Sequence, residues 1–325
     1  MESDFQKNIS SVGIAFSENR INAVKIKKEG GRYTLLKAWE DLFENSNFND
    51  PAPWRDVFLS EFGEIINSEE AVVRVCVPLR QSLSKVIATD VSLVENIPEW
   101  LDWAARQYLP SSSGNFEYGF SSLKRNGGES LRVLSTAFPQ EAVDVMNIGE
   151  AGKRHSGKPI VDSLAMYYAS DEQNILNDKP AVILLNIDGL YLTYTIIENS
   201  EYIDSGTLKA RNVLSDYHTI DGLVTDVKTA LTFKLDGEHR PDTSIALLCG
   251  DIPEERLFIK RLGYEIASRT EIAKPFDIFR ISPEIDDFPA LRDRQHCYFT
   301  AVGAALSNIN EKQIDINPRK EPAAG

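Results

Sequence analysis

One pattern occurs twice in this chain: an apolar run, a short polar turn and a second apolar run. Residues 12–26 read VGIAFSENRINAVKI. Val12, Ile14 and Phe16 alternate with smaller residues, Ser17-Glu18-Asn19-Arg20 turn the chain, and Ile21, Ala23 and Val24 lead into a second strand. The pattern returns near residue 182 as VILLNIDGLYLTYTII. Each hairpin opens half of the chain and is followed by a third strand. Strands expected at 11–16, 20–28 and 32–39 are therefore answered by strands at 181–187, 190–198 and 201–207. Sliding the first set by 171 positions puts Ala15 on Asn186, Ser17 on Asp188 and Ile21 on Leu192. Few identities survive the slide, so the repeat is one of structure rather than of close sequence.

Length agrees with two halves, because 325 residues leave room for about two domains at ~150 residues each. A formal charge of −14 argues against nucleic acid as a main partner, since phosphate binding needs a clustered basic face. It favours solubility and basic partners. Cys76, Cys249 and Cys297 lie far apart among Val, Leu and aromatic residues, the setting of buried reduced thiols in a reducing compartment. The opening MESDFQKNIS lacks the apolar core of a signal peptide, and no apolar run is long enough to span a bilayer. These features lead to the expectation of a cytoplasmic protein with no membrane span.

Between the repeats, an amphipathic helix is expected near 54–66, with Trp54, Val57, Phe58, Phe62 and Ile65 on one face. AVVRVCVPL (71–79) reads as a buried strand, with SLSKVIATD (82–90) as its partner. The clearest helix spans 96–109. Asn96 is its N-cap, Pro98 sits in its first turn, Glu99 completes a capping box, and Pro110 with the following serines stops it. Strands at 115–123 and 131–138 flank a loop at Asn126-Gly127-Gly128, and a helix follows over 139–152. After the polar link DEQNILNDKP and the second set of strands come a helix near 219–234, a buried strand at 244–252, a helix near 253–262 and an apolar core helix near 294–308.

Other chemistry finds little footing. His155, His218, His239 and His296 share no ligand spacing with one another or with a cysteine, so a metal site is not expected. No nucleophile elbow or Walker-type phosphate loop occurs. Asp286-Asp287 and Glu69-Glu70 are acid pairs of ordinary solvated surface. Trp54, Trp100 and Trp103 are candidates to line a partner groove and Trp39 sits in a strand, with core packing the default for all four.

The chain resembles the PilM family of type IV pilus assembly proteins and, more distantly, the cell-division actin FtsA. Members begin with a phrase close to GIDIGSSSVKAVEL, on which Gly13-Ile14 and Ala23-Val24 fall without gaps. Their inserted subdomain has a helix ending in W-x-A-x-Q-Y-I-P-F; here Trp103, Ala105 and Gln107-Tyr108-Leu109-Pro110 match it. The stretch VLSTAFPQEAVDVMNIGEAGKRHSGKPIVDSLAM resembles the family's return segment with its A-G-x-x-P-x-x-V-D phrase, and YFTAVGAAL resembles its final core helix. The resemblance covers nearly the whole chain. It implies an α/β, actin-like (ribonuclease H-like), duplicated two-domain fold with a small α+β subdomain inserted in the first domain. The implied division is 11–175 for the first domain, with the insertion at about 71–138, and 178–293 for the second. Residues 294–309 would form a core helix returning to the first domain, and 310–325 a mobile tail.

The chain departs from the family where nucleotide should bind. Active members place an Asp in the first turn, an Asp-x-Gly in the second and a Gly-Gly loop over adenosine. Asp orients the metal, and Gly lets backbone N–H groups approach phosphate. Here Ala15 and Ser17 stand in the first turn, Asn186 and Asp188 in the second with Gly189 alongside, and Cys249-Gly250-Asp251 keeps one glycine. Lys209-Ala210-Arg211 replaces a further Gly-Gly, and the helical subdomain between Leu208 and Leu235 is shortened. Glu18, Asp188 and Asp251 would face a triphosphate. Each carboxylate about 5 Å from one phosphate charge costs roughly 3 kcal/mol at an effective dielectric of ~20.

The reading is a pseudo-ATPase, with no catalytic residue, no metal ligand and no cofactor assigned. Ser17, Asn19, Asn186, Gly189 and Gly250 are what remains of a degenerate nucleotide site. The resemblance implies a cytoplasmic adaptor, peripheral to the inner membrane, that binds the cytosolic N-terminus of a PilN-like membrane protein as an extended segment. Its groove would be walled by the strand at 72–77 and by Tyr108, Leu109 and Pro110. Self-association is left open. The tail, Ile314-Asp315-Ile316-Asn317-Pro318-Arg319, resembles the I-N-L-L-P phrase that opens PilN, and either trails free or docks in a partner groove. The alternative is an active actin-like ATPase or sugar-kinase-like phosphotransferase that uses ATP with Mg in an altered site.

Overall fold

The computed structural model describes residues 9–18, 20–42, 71–90, 103, 107, 116–123, 130–139, 159–177, 179–210, 217–234, 245–252, 255–267, 269–309 and 315–316. The helix expected at 54–66, that at 139–152 apart from Pro139, which belongs to a strand, and that at 96–109 apart from Trp103 and Gln107, lie outside these residues. So do Asn19, Tyr108, Leu109 and Pro110.

Two sheets of the same design form the body. In the first, β1 (Ile9–Phe16), β2 (Arg20–Glu29) and β3 (Arg32–Leu42) are an antiparallel meander, and β4 (Ala71–Val77) lies parallel to β1. In the second, β9 (Ala181–Asp188), β10 (Tyr191–Glu198) and β11 (Glu201–Lys209) repeat the meander, and β12 (Ile245–Gly250) lies parallel to β9. A short outer strand completes each side: β8 (Ile160–Val161) beside β4, and β13 (Thr270–Ile272) beside β12. Both sheets thus share one strand order, with β14 (Phe279–Ile281) added to the first beside β3.

The 171-residue slide holds at the level of register. Ala15 pairs with Asn22, and adding 171 to each gives Asn186 and Thr193, which also pair. On the parallel side Ala15 pairs with Cys76 and Asn186 with Cys249. The central strands are buried on both faces, which explains their near-continuous apolar sequence.

Two helices fill the space between the sheets. α1 (Asp162–Glu172) is buried over its first nine residues, and α5 (Phe299–Ile309) over nearly its whole length. They cross closely because α5 carries small residues: a Cβ at Gly303 would overlap the carbonyl of Ala165. α5 also packs on β1, β4 and β2, and Ser11 Oγ donates to the Ala305 carbonyl at 2.8 Å. One core joins the first sheet, α1, α5 and one face of the second sheet, including Val182, Leu184 and Leu247. The opposite face of the second sheet packs Ile183, Leu185 and Ile187 against α2 (Tyr217–Lys234) and α3 (Glu255–Glu265), through Ile220, Val224, Phe258 and Leu262.

A third sheet is inserted between β4 and β8. It is antiparallel, with β7 (Ser130–Pro139) between β5 (Leu83–Asp90) and β6 (Phe116–Ser122).

Several sequence expectations are corrected. The strand at 71–77 does not pair with that at 83–90; β4 joins β1, and β5 joins β7. The inserted sheet therefore starts after β4, whose apolar run, interrupted at Arg74, suits a central parallel strand rather than a hairpin arm. The chain also leaves the second sheet earlier than 293: it re-enters the first at β14, continues through α4 (Phe288–Asp293) and a 3-10 turn (Gln295–Tyr298), and begins α5 at 299. Trp103 is not core, being 59% exposed, while Trp39 packs on the main core. In the tail, β15 (Asp315–Ile316) pairs antiparallel with β6.

Candidate functional site

The two hairpin turns face each other where the halves meet, and the loop after β12 joins them. The residues there bond to one another. Ser17 closes its own turn: both its N–H, at 2.8 Å, and its hydroxyl, at 3.1 Å, donate to the Arg20 carbonyl. The Glu18 N–H donates to Asp188 Oδ1 on the other half, and Glu18 Oε2 accepts the Leu190 N–H at 3.3 Å. Gly189 has φ +58°, and a Cβ there would run into the Glu18 carboxylate. The second glycine-bearing turn is therefore covered by a carboxylate from the first.

Asp188 ends β9 and forms an ion pair with Arg80, which sits on a 3-10 turn (Leu79–Gln81) directly after β4. Both side chains are only 9% exposed. The Arg80 guanidinium lies 4.8 Å from the centre of the Tyr191 ring, and Lys209 Nζ is 5.4 Å from the same ring. Burial pushes the Asp188 carboxyl up to about 6, against the opposing pull of Arg80 and the Glu18 N–H, with Asp251 adding to the rise.

The third loop is tied in the same way. Arg20 Nη1 reaches Asp251 Oδ1 at 2.6 Å, and Arg20 Nε reaches Glu40 Oε1 at 2.8 Å. Glu40 in turn holds Arg294 through both oxygens, at 2.6 and 2.8 Å. The Gly250 carbonyl accepts from the Cys297 thiol at 3.5 Å, and the Asp251 N–H donates to Ile187 O at 2.8 Å.

Beneath the turns lies a buried carboxylate. Asp162, at the start of α1, accepts the N–H groups of Ser163 at 2.7 Å and Leu79 at 3.1 Å, and the Asn186 amide at 3.4 Å. Its pKa is raised by burial, and these hydrogen bonds, with one from Thr193, oppose the rise. Asn186 Oδ1 faces the Cys249 thiol at 3.6 Å. Burial also raises Cys76 and Cys249, and holds Cys297 at about 11, so the thiols stay protonated and are poor nucleophiles. Among the described residues no group of three His, Cys, Asp or Glu side chains could hold a metal ion.

The structure brings Ser17, Asn186, Gly189 and Gly250 into one region, with Ser17, Asn186 and Gly250 bonded internally and Gly189 covered by the Glu18 carboxylate. It also revises the electrostatic argument against phosphate. Asp188 and Asp251 are paired to Arg80 and Arg20, so they are not bare repelling charges. A triphosphate placed there would compete with the Arg80–Asp188 and Arg20–Asp251 ion pairs and with Glu18. Sequence reasoning missed Arg20, Arg80 and Asp162. Arg80 carried a signal, as a cation just after a strand whose one charged residue is Arg74, and Asp162 stands in the Val161-Asp162 phrase.

β4 does not serve as a groove wall. Its side chains other than Val72 are buried, and Arg74 Nη1 donates inward to Ser307 Oγ at 2.7 Å.

Comparison with solved structures agrees with this architecture. A chain of a PilM–PilN type IV pilus biogenesis complex superposes with a TM-score of 0.74 at 15% identity, over 93% of this chain and 99% of that one. A Bacteroides thetaiotaomicron protein with an actin-like ATPase fold and unknown function superposes with a TM-score of 0.55 at 12% identity, over 86% of this chain and 96% of that one. The chain has the actin-like fold. No family model matches the sequence, and no curated protein matches it. Among the described residues no helix of this actin-like chain is long and apolar enough to cross a membrane.

Proposed function

We propose that the chain is a PilM-like scaffold of a type IV pilus or related secretion assembly. It binds the cytosolic N-terminal segment of a PilN-like inner-membrane protein and so stands in the cytoplasm, held at the membrane through that partner. The observation that carries the reading is the superposition, over 93% of this chain, on a chain from a complex of PilM with PilN. The inserted sheet adds support, since sheet edges take extended peptides through main-chain hydrogen bonds. So does the internally paired junction, which favours lost or weak ATP binding and a role other than catalysis.

Titrating the full chain with a synthetic peptide of the candidate partner's N-terminal segment tests the reading. Saturable binding that survives scrambled-peptide controls is expected. No binding at millimolar peptide would remove its main support.

A further inference from the structure

The geometry points to Arg80 as a built-in counter-ion that holds the two halves closed in place of a bound nucleotide. The inference rests on the reading of the junction as closed to nucleotide, and it concerns what does the closing. Where two domains close around a ligand, the ligand supplies the contacts to both sides. Here three contacts of that kind are intramolecular. Arg80, from the turn after β4, pairs with Asp188 at the end of β9. The Glu18 N–H and carboxylate bond to Asp188 and to the Leu190 N–H. Arg20, at the start of β2, pairs with Asp251 beyond β12. Each joins an element of the first half to a turn of the second.

Arg80 is the centre of this arrangement for two reasons. Its guanidinium is buried against Asp188 and stacked on Tyr191, so it touches the second half by charge and by ring face at once. It also stands three residues before β5, the first strand of the inserted sheet. A second ion pair, Arg132 Nη1 of β7 to Glu201 Oε2 of β11 at 2.7 Å, ties that sheet to the same half. Closure through Arg80 therefore fixes the inserted sheet against the second half with no ligand present, and any surface spanning both is assembled in advance.

Hydrogen exchange of the full chain without nucleotide tests this. The Glu18 and Leu190 amides, which donate across the junction, report closure, while Val12 and Ile14 in β1 report the core. In Arg80→Gln the two junction amides should exchange roughly tenfold faster, the equivalent of losing one modest coupling, with the β1 amides unchanged. Arg80→Lys, which keeps the charge but not the planar stack, should fall between. Asp188→Asn removes the other half of the pair and should reproduce the Gln result, which gives a second readout if Arg80→Gln folds poorly. Unchanged junction exchange, or a uniform loss of protection across the molecule in both variants, would overturn the inference. Partner-peptide titration of the same samples separates the two claims. Peptide binding with unchanged exchange sinks the counter-ion role alone, and faster exchange without peptide binding sinks the scaffold reading alone.

Discussion

Replacing Arg80 with Met should destabilise the protein by an amount that grows with pH. In the native chain the Asp188 carboxyl is raised from 3.8 to about 6, chiefly by burial, and Arg80 is the largest influence pulling it down. A carboxyl that holds its proton more tightly when folded withdraws stability as pH rises from 3.8 to 6, and the loss is complete above that window. The gap corresponds to about 3 kcal/mol in the native protein. Without Arg80 the folded value moves above 6, so the window stretches upward and further stability is lost between pH 6 and 8. At pH 8 a buried carboxylate without its cation costs about 3–5 kcal/mol. At pH 5.5 the carboxyl is protonated in the folded variant, and the penalty should shrink to about 1 kcal/mol, the scale of a lost hydrogen bond. Urea unfolding at pH 5.5, 7 and 8 measures this, provided the slope of free energy against urea matches that of the native chain. A penalty equal at pH 5.5 and pH 8 within about 0.5 kcal/mol would refute the reasoning, because a buried, titrating partner requires the difference.

Two further substitutions probe the framework. Gly303→Ala puts a methyl group into the Ala165 carbonyl where α5 crosses α1, and should cost about 1–3 kcal/mol in urea unfolding, with the melting temperature falling accordingly. Asn186→Asp places a second carboxyl beside Asp162, 3.4 Å from the present amide; two like charges cannot both ionise there, so the variant should lose about 2–3 kcal/mol at pH 8 and less at pH 5, and it should gain no ATP binding.

The duplicated meander was legible because its cause is local. Alternation and turn residues set the hairpins, and the slide that aligns Ala15 with Asn186 also aligns their strand partners, Asn22 with Thr193. The apolar small-residue run of α5 was legible as core for the same reason. Strand partnership was less so: β4 is apolar at every position but Arg74, and periodicity alone does not distinguish a central parallel strand from the arm of a hairpin. The return of β14 to the first sheet rests on three residues, too few to leave a pattern. At the junction, the losses at Ala15, Ser17 and Asn186 were visible as missing chemistry, but the replacements were not. Arg80 and Asp188 are 108 residues apart, and a buried ion pair at that separation comes from tertiary placement, with no periodic trace in the sequence.

The proposal that most needs testing is that this actin-like chain, its junction paired through its own side chains, has lost or weak ATP binding. Calorimetric titration of the purified full chain with ATP, with and without magnesium, tests it most directly. The account predicts no saturable heat up to millimolar ATP in either condition. Binding in the micromolar range, about 8 kcal/mol of favourable free energy, would mean that the Arg80–Asp188 and Arg20–Asp251 pairs open readily for phosphate, and would contradict it.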